Sequence, residues 1–205
     1  MSYEQMQNNR VYITGTVSVP PVYSHEVLGE KFYDLTLTVR RLSEQTDEIP
    51  VTVSDRLMGV YSLEKGARVG VSGQLRSYNK LVDGKNKLIL RVFARSLDDG
   101  ESGEAPNTVE LEGYVCKPPV YRMTPFKREI CDLLLAVNRA YNKSDYIPAI
   151  AWGRNAHFAG GFEVGARIAV SGRIQSRVYK KVLPDGTEEE RVAYEVSASR
   201  VERVD

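Results

Sequence analysis

The chain has 205 residues, room for one large domain or two of about 100 residues each. Its 42% hydrophobic and 27% charged residues are an ordinary globular balance, and nothing approaches the roughly 18 consecutive apolar residues of a membrane-spanning helix. Twenty-eight basic against 27 acidic residues, net +1, exclude a strongly basic clamp for duplex DNA as an average, although an average hides where the charges sit. Two cysteines and two histidines exclude a cysteine-rich metal cluster and a disulfide scaffold. The polar start, Met1-Ser2-Tyr3-Glu4-Gln5-Met6-Gln7, lacks an apolar signal core, so a cytoplasmic protein without metal, cofactor or membrane contact is expected.

Alternation of apolar and polar residues predicts strands in chain order. The first runs through Val11, Ile13, Gly15 and Val17, the next two over 31–40 and 48–54, a helix over Asp55–Leu63, then strands through Val69, Val71, Gly73 and Leu75 and over 88–96. The segment Asp98–Pro106 is acidic and without an apolar period, and reads as an exposed linker. The order then repeats: Val109, Leu111, Gly113 and Val115, strands over 129–139 and 145–152, a helix over Gly153–Phe162, a strand through Ile168, Val170, Gly172 and Ile174, and one over 190–200. Asp83-Gly84 and Asp185-Gly186 signal hairpin turns before the last strand of each run.

The repetition extends to residue identities. Asn9, Gly15, Pro20-Pro21-Val22-Tyr23, Asp34-Leu35 and Asp47 recur 98 residues on as Asn107, Gly113, Pro118-Pro119-Val120-Tyr121, Asp132-Leu133 and Asp145. Gly66-Ala67-Arg68 and Val71-Ser72-Gly73 recur 99 residues on as Gly165-Ala166-Arg167 and Val170-Ser171-Gly172. A match held in register this far predicts a duplicated domain, residues 1–97 and 107–205 joined by 98–106. The first copy carries 13 basic and 10 acidic residues, and residues 106–205 carry 15 and 13. The repeated Pro-Pro-Val-Tyr reads as a rigid rim turn. Five strands with one helix after the third are the layout of an oligonucleotide-binding (OB) Greek-key barrel; a sandwich or another small barrel also fits the strand count. The expected fold class is all-β, two tandem five-stranded OB barrels.

The second copy carries Leu135-Ala136-Val137-Asn138-Arg139, then Tyr146 through Arg154, then Gly165-Ala166-Arg167-Ile168-Ala169-Val170-Ser171-Gly172-Arg173-Ile174. In this order and spacing these residues resemble the bacterial single-stranded DNA-binding protein family; the first copy resembles it more weakly, through Leu37-Thr38-Val39-Arg40-Arg41 and Gly66–Ser77. The resemblance implies OB barrels that bind single strands without strong sequence preference, and places base-stacking aromatics at Tyr141, Tyr146, Trp152 and Tyr179. Residue chemistry agrees, because unpaired bases expose flat faces and phosphates need cations. Tyr146 and Trp152 share one strand parity, and Arg173, Gln175, Arg177 and Tyr179 line the polar parity of strand four. Arg139 and Arg154 complete the set. Trp152, beside a helix start, fits a barrel cap as well.

The first copy has Ser43, Glu48, Ser54 and Lys80 where the second has its four aromatics, and keeps Arg76, Tyr78 and Lys80 as candidate contacts, with Tyr12 and Arg56 nearby. An asymmetric pair is expected, the second copy gripping bases. Family assemblies present four barrels, which implies a homodimer here; the acidic tail by which the family docks replication proteins has no counterpart in Ser199–Asp205. A protein-interaction or primosome-type accessory, and an RNA-binding OB protein, stay open as rivals. Cys116 and Cys131 read as packing residues in strands, His25 as a loop residue and His157 as a helical one; no catalytic constellation is present, and no enzyme is expected.

Overall fold

The computed structural model describes residues 7–41, 43–82, 84–101, 106–183 and 185–204. The first half forms β1 (Asn9–Val27), β2 (Glu30–Arg40), β3 (Thr46–Ser54), β4 (Arg68–Val82) and β5 (Lys85–Asp98). β1 pairs antiparallel with β2, β2 with β3, β3 in parallel with β5, β5 antiparallel with β4, and β4 again with β1. The ladder returns to its starting strand, so the sheet is closed.

The second half forms β6 (Asn107–Val115), β7 (Val120–Met123), β8 (Glu129–Arg139), β9 (Lys143–Trp152), α1 (Arg154–Ala159), β10 (Arg167–Val182) and β11 (Glu188–Arg203). β6 pairs with β8, β8 with β9, β9 in parallel with β11, β11 with β10 and β10 with β6, while β7 folds back on β8. The two sets are joined by antiparallel pairing of β1 with β6, from Asn9 opposite Leu111 to Ile13 opposite Asn107.

The alternation works as read: Ile13, Leu35, Leu37, Ile49 and Leu75, and then Leu135, Ile147, Ile168 and Ile174, are fully buried. A β-bulge interrupts the β4–β5 ladder between Ser72 and Gly73, and the β10–β11 ladder between Ser171 and Gly172. At Gly73 and Gly172 a Cβ would stand 2.1 Å from the carbonyl oxygens of Phe93 and Ser197, so only glycine fits. Each copy closes the first strand onto the fourth with the same side chain. Asn9 Oδ1 accepts from Leu75 N–H (2.9 Å) while its Nδ2 donates to Leu75 O (2.8 Å). Asn107 repeats this with Ile174 at 3.0 and 2.7 Å.

Several expectations are corrected. Pro20-Pro21 is no turn: β1 runs through it for 19 residues, shifting register between Val17 and Val19 and between Val19 and Val22, and ends at Leu28-Gly29, both at positive φ (50° and 83°). The bulged stretch tolerates prolines because it needs no regular donor at each residue. Pro118-Pro119 does interrupt the chain, but Val120-Tyr121 starts β7. The helix expected over Asp55–Leu63 is only a 3-10 turn, Asp55–Leu57, because Met58 reverts to extended backbone and Gly59 follows at φ 94°. Its counterpart is a six-residue α-helix whose Ala156 and Ala159 are fully buried.

Asp98 still belongs to β5 and receives Tyr12 Oη–H (3.2 Å) and Gly100 N–H (2.7 Å). Gly100 is buried under Arg68, which donates to its carbonyl at 3.1 and 3.2 Å. The exposed character expected of 98–106 therefore fails at its start, and 102–105 lie outside the described residues. Asp83 of the first hairpin signal does too; Gly84 and Gly186 adopt φ 71° and 83°. His25 is in β1, stacked on Phe32 with ring centroids 5.0 Å apart, and Cys116 follows β6 rather than lying in it.

Candidate nucleic-acid interface

Of the expected aromatics, Tyr141 sits at the β8–β9 turn at φ 61° and is 80% exposed; Tyr146 on β9 is 46% exposed. Trp152 ends β9 half-covered, its indole N–H donating to Ser197 Oγ on β11 (3.1 Å), and Arg173 lies opposite Ser197 in the ladder. Arg154 opens α1 and is exposed. Tyr179 lies on the β10–β11 arm, with the Arg177 guanidinium 5.7 Å from its ring centre and 3.7 Å from Glu195. Gln175 departs from the expected exposed row: it is buried, donating to Glu195 (3.0 Å).

In the first half, Tyr78 and Lys80 are exposed on the β4–β5 arm, as expected. Tyr12 is buried between Asp98 and Thr14, away from any outer face. Arg56 is exposed, 3.4 Å from Glu30. The four positions without aromatics are polar in fact as well as in name. Glu48 accepts from Ser18 and Thr38 (both 2.5 Å), Ser54 donates to Glu30, and Ser43 and Lys80 are exposed.

Two seams hold the halves together. At one, β4 lies against β9: Asp145, 1% exposed, accepts from Ser77 N–H (2.8 Å) and Arg76 Nη1 (3.2 Å), with Arg139 Nη1 at 3.5 Å. Tyr146 N–H donates to Ser77 Oγ (2.7 Å). At the other, β3 lies against β10: Asp47, 0% exposed, accepts from Ser176 N–H (2.7 Å), Ser176 Oγ (2.8 Å) and both arms of Arg41 (2.6 and 2.5 Å). Arg41 also donates to Ser176 O (2.9 Å). Burial alone would raise the Asp47 carboxyl, but the hydrogen bonds from Arg41 and Ser176 outweigh it and hold it below the usual carboxylate range. Arg41 is correspondingly raised, first by its bond to Asp47.

Sequence reasoning used Asp47 and Asp145 only to mark the repeat. Their signal was available: each is a carboxylate on the same strand parity as fully buried neighbours, Ile49 and Val51 in one copy and Ile147 in the other. A charge on an inward parity needs a partner. Arg76 and Arg139, expected to face solvent, are drawn into this seam; burial lowers the Arg76 pKa against the pull of Asp145.

Residues 106–204 match the model of the Single-strand binding protein family. Two crystal structures of the single-stranded DNA binding protein from Thermus aquaticus resemble the whole chain. A deletion mutant of it is 28% identical, covers 96% of this chain and 94% of its own, and superposes with a TM-score of 0.72. The wild-type form gives the same values with 93% of its own length. The N-terminal domain of PriB protein from Thermoanaerobacter tencongensis, described as dimeric, is 48% identical over 45% of this chain and 96% of its own, with a TM-score of 0.40. No curated protein matches. Among the described residues there is no group of three or more His, Cys, Asp or Glu side chains that could hold a metal, and no helix long and apolar enough to cross a membrane.

Proposed function

We propose that this chain binds single-stranded DNA without strong sequence preference, as two tandem OB barrels of which the C-terminal one grips the bases. The family match to residues 106–204 carries the reading, because it falls on the half that presents Tyr141, Tyr146 and Trp152 at its surface. Tyr179 adds a fourth ring, and Arg154, Arg173 and Arg177 supply cations for phosphates. The N-terminal half pairs its strands in the same order, repeats the Asn9 closure at Asn107 and the Asp47 seam at Asp145, and so supports duplication of one domain. Its Glu48, Ser54 and Ser43 offer no stacking surface, which suits backbone contact at Tyr78 and Lys80 rather than base binding. The likeness to the Thermus protein over 96% of the chain supports the tandem arrangement. Two chains would bring four barrels together, and coating of exposed strands in replication, recombination or repair, without catalysis, is the role that follows.

Trp152 is the only tryptophan and reports binding directly. Titration with an oligo-dT of about 35 nucleotides, spanning several OB sites, should quench its fluorescence saturably. Tyr146→Ala should weaken binding about 5- to 150-fold, the worth of one base stack of about 1–3 kcal/mol. A wild-type protein that leaves its fluorescence unchanged and does not retain the oligomer at low salt overturns the proposal. A matched oligo-U titration that wins by a clear margin moves the preference to RNA.

A further inference from the structure

The two seams are equivalent by the 98/99-residue repeat, but their exposed neighbours are opposite in character. Beside Asp145–Ser77 stand Tyr146 and Tyr78, 46% and 48% exposed, one from each half. The same positions beside Asp47–Ser176 are Glu48 and Arg177. The charges differ as well. At the Asp145 seam two guanidiniums, Arg76 and Arg139, approach one carboxylate and a third, Arg95, stands beside Arg76: Arg95 Nη2 and Arg76 Nη2 share Gln74 Oε1 at 3.0 and 2.7 Å, and both Arg95 and Arg139 bear electrostatically on Arg76. At the Asp47 seam three carboxylates, Asp47, Glu48 and Glu195, meet three guanidiniums, Arg41, Arg177 and Arg91, the last acting there on Tyr194. Glu48 and Asp47 also act on Tyr194, whose phenol is raised first by burial and then by those carboxylates against the opposing charge of Arg91.

A strand passing from one half to the other needs cations for its phosphates and rings for its bases at the crossing. The Asp145 seam offers a ring from each half beside an excess of guanidiniums, whereas at the Asp47 seam Glu48 stands in place of the Tyr146 ring and Arg177 is shared with Glu195. We infer that single-stranded DNA crosses between the halves over the Asp145 seam, with the exposed Arg95 as a phosphate ligand and Tyr78 and Tyr146 as flanking platforms, and that the Asp47 seam is closed to it by Glu48. This rests on the single-strand reading proposed above. Asp145 acts as a positioning residue. Its carboxylate binds Ser77 N–H and pins Arg76, and the Ser77 hydroxyl accepts from the Tyr146 N–H, so a buried carboxylate and a half-buried serine set the spacing of the platforms. Excess positive charge there suits a site that receives phosphates, whereas the balanced charges opposite offer them no net attraction.

The test uses the intact chain and the oligo-dT of about 35 nucleotides, followed by Trp152 fluorescence at several salt concentrations. Arg95→Glu should weaken binding about three- to tenfold at low salt, and Arg95→Gln, which keeps a donor for Gln74, should shallow the salt slope by about 0.7, the value for one phosphate contact on a single strand. Glu48→Gln should change affinity less than about twofold, since the strand does not pass it. Unchanged affinity and slope in both Arg95 variants overturn the crossing, and so does a Glu48→Gln variant that tightens binding as much as Arg95→Glu weakens it. A wild-type protein that fails to bind overturns the functional proposal and the crossing with it; normal wild-type binding with silent Arg95 variants overturns the crossing alone.

Discussion

Asp47 shows how a single buried charge is made tolerable. Four hydrogen bonds converge on its two oxygens, and its partner Arg41 continues to the Ser176 carbonyl, so no charge is left uncompensated at the seam. Because the folded-state pKa lies below the ordinary carboxylate value, the stabilisation is fully present above about pH 4 and is lost as pH falls through the depressed folded value. Asp47→Asn should destabilise the chain by about 3–5 kcal/mol at pH 7, as expected when an ion pair built on a fully buried carboxylate is broken. It should also flatten the acid limb of a urea-midpoint profile between about pH 5 and 2. An acid limb as steep as the wild type's would remove Asp47 as its source. Gly172 tests space rather than charge. Gly172→Ala places a methyl 2.1 Å from a fixed backbone carbonyl and should cost about 1–3 kcal/mol in the same denaturation assay. The mid-strand glycines were legible in the sequence, Gly73 and Gly172 recurring 99 residues apart within an apolar period. The seam carboxylates were legible as charges on an inward parity but their partners were not, since only the folded pairing shows which residue meets an inward-facing Asp across 129 positions of chain.

At the scale of elements, strands with one buried face were legible because burial imposes a period of two on every such stretch, and β8 falls on the expected bounds, Glu129–Arg139. What escaped were the features without a buried face. The β1–β2 arm beyond Val19 has Val22, Tyr23, Val27 and Leu28 all exposed, so no hydrophobic period marks it and the prolines dominate the reading. The helix of the first half also failed, for a local reason: Gly59 at φ 94° ends it after one turn, while Ala156 and Ala159 give α1 a buried face. An arm built this way contributes little to global stability. Gly29→Val, a β-branched residue at φ 83° in the arm's turn, should introduce local strain of about 1–3 kcal/mol that the arm relieves by opening rather than by unfolding the barrel. It should accelerate amide exchange at Tyr23, Glu26 and Val27, whose ladder partners are Tyr33, Lys31 and Glu30. A large loss of global stability would mean that the arm is packed against more than its own hairpin.

The whole molecule raises the question of whether its halves are independent beads. Five paired positions of β1 and β6 make a continuous antiparallel ladder between them, extended at its two ends by Thr14 N–H to Pro106 O (2.9 Å) and Glu112 N–H to Asn8 O (2.8 Å). Both seams add hydrogen bonds to carboxylates that are no more than 1% exposed, and each seam takes its aspartate from one half and its serine from the other. Val11 and Ile13 of β1, and Val109 and Leu111 of β6, are buried within one continuous apolar cluster. An arrangement of this kind binds the halves through groups that cannot be returned to water singly, because parting them strands Asp47 without Ser176 and Asp145 without Arg76 and Ser77. The halves should therefore unfold together and hold together without a covalent join. Residues 1–101 and 102–205 expressed as two separate chains should co-purify in a one-to-one complex at neutral pH, and that complex should retain oligo-dT binding because the Asp145 seam is intact. Asp47→Asn combined with Asp145→Asn should dissociate the split pair, while the uncut chain carrying the same substitutions stays one molecule with weaker cooperativity in its unfolding transition. Two halves that purify separately as folded, monomeric barrels would show that the linker alone keeps them adjacent.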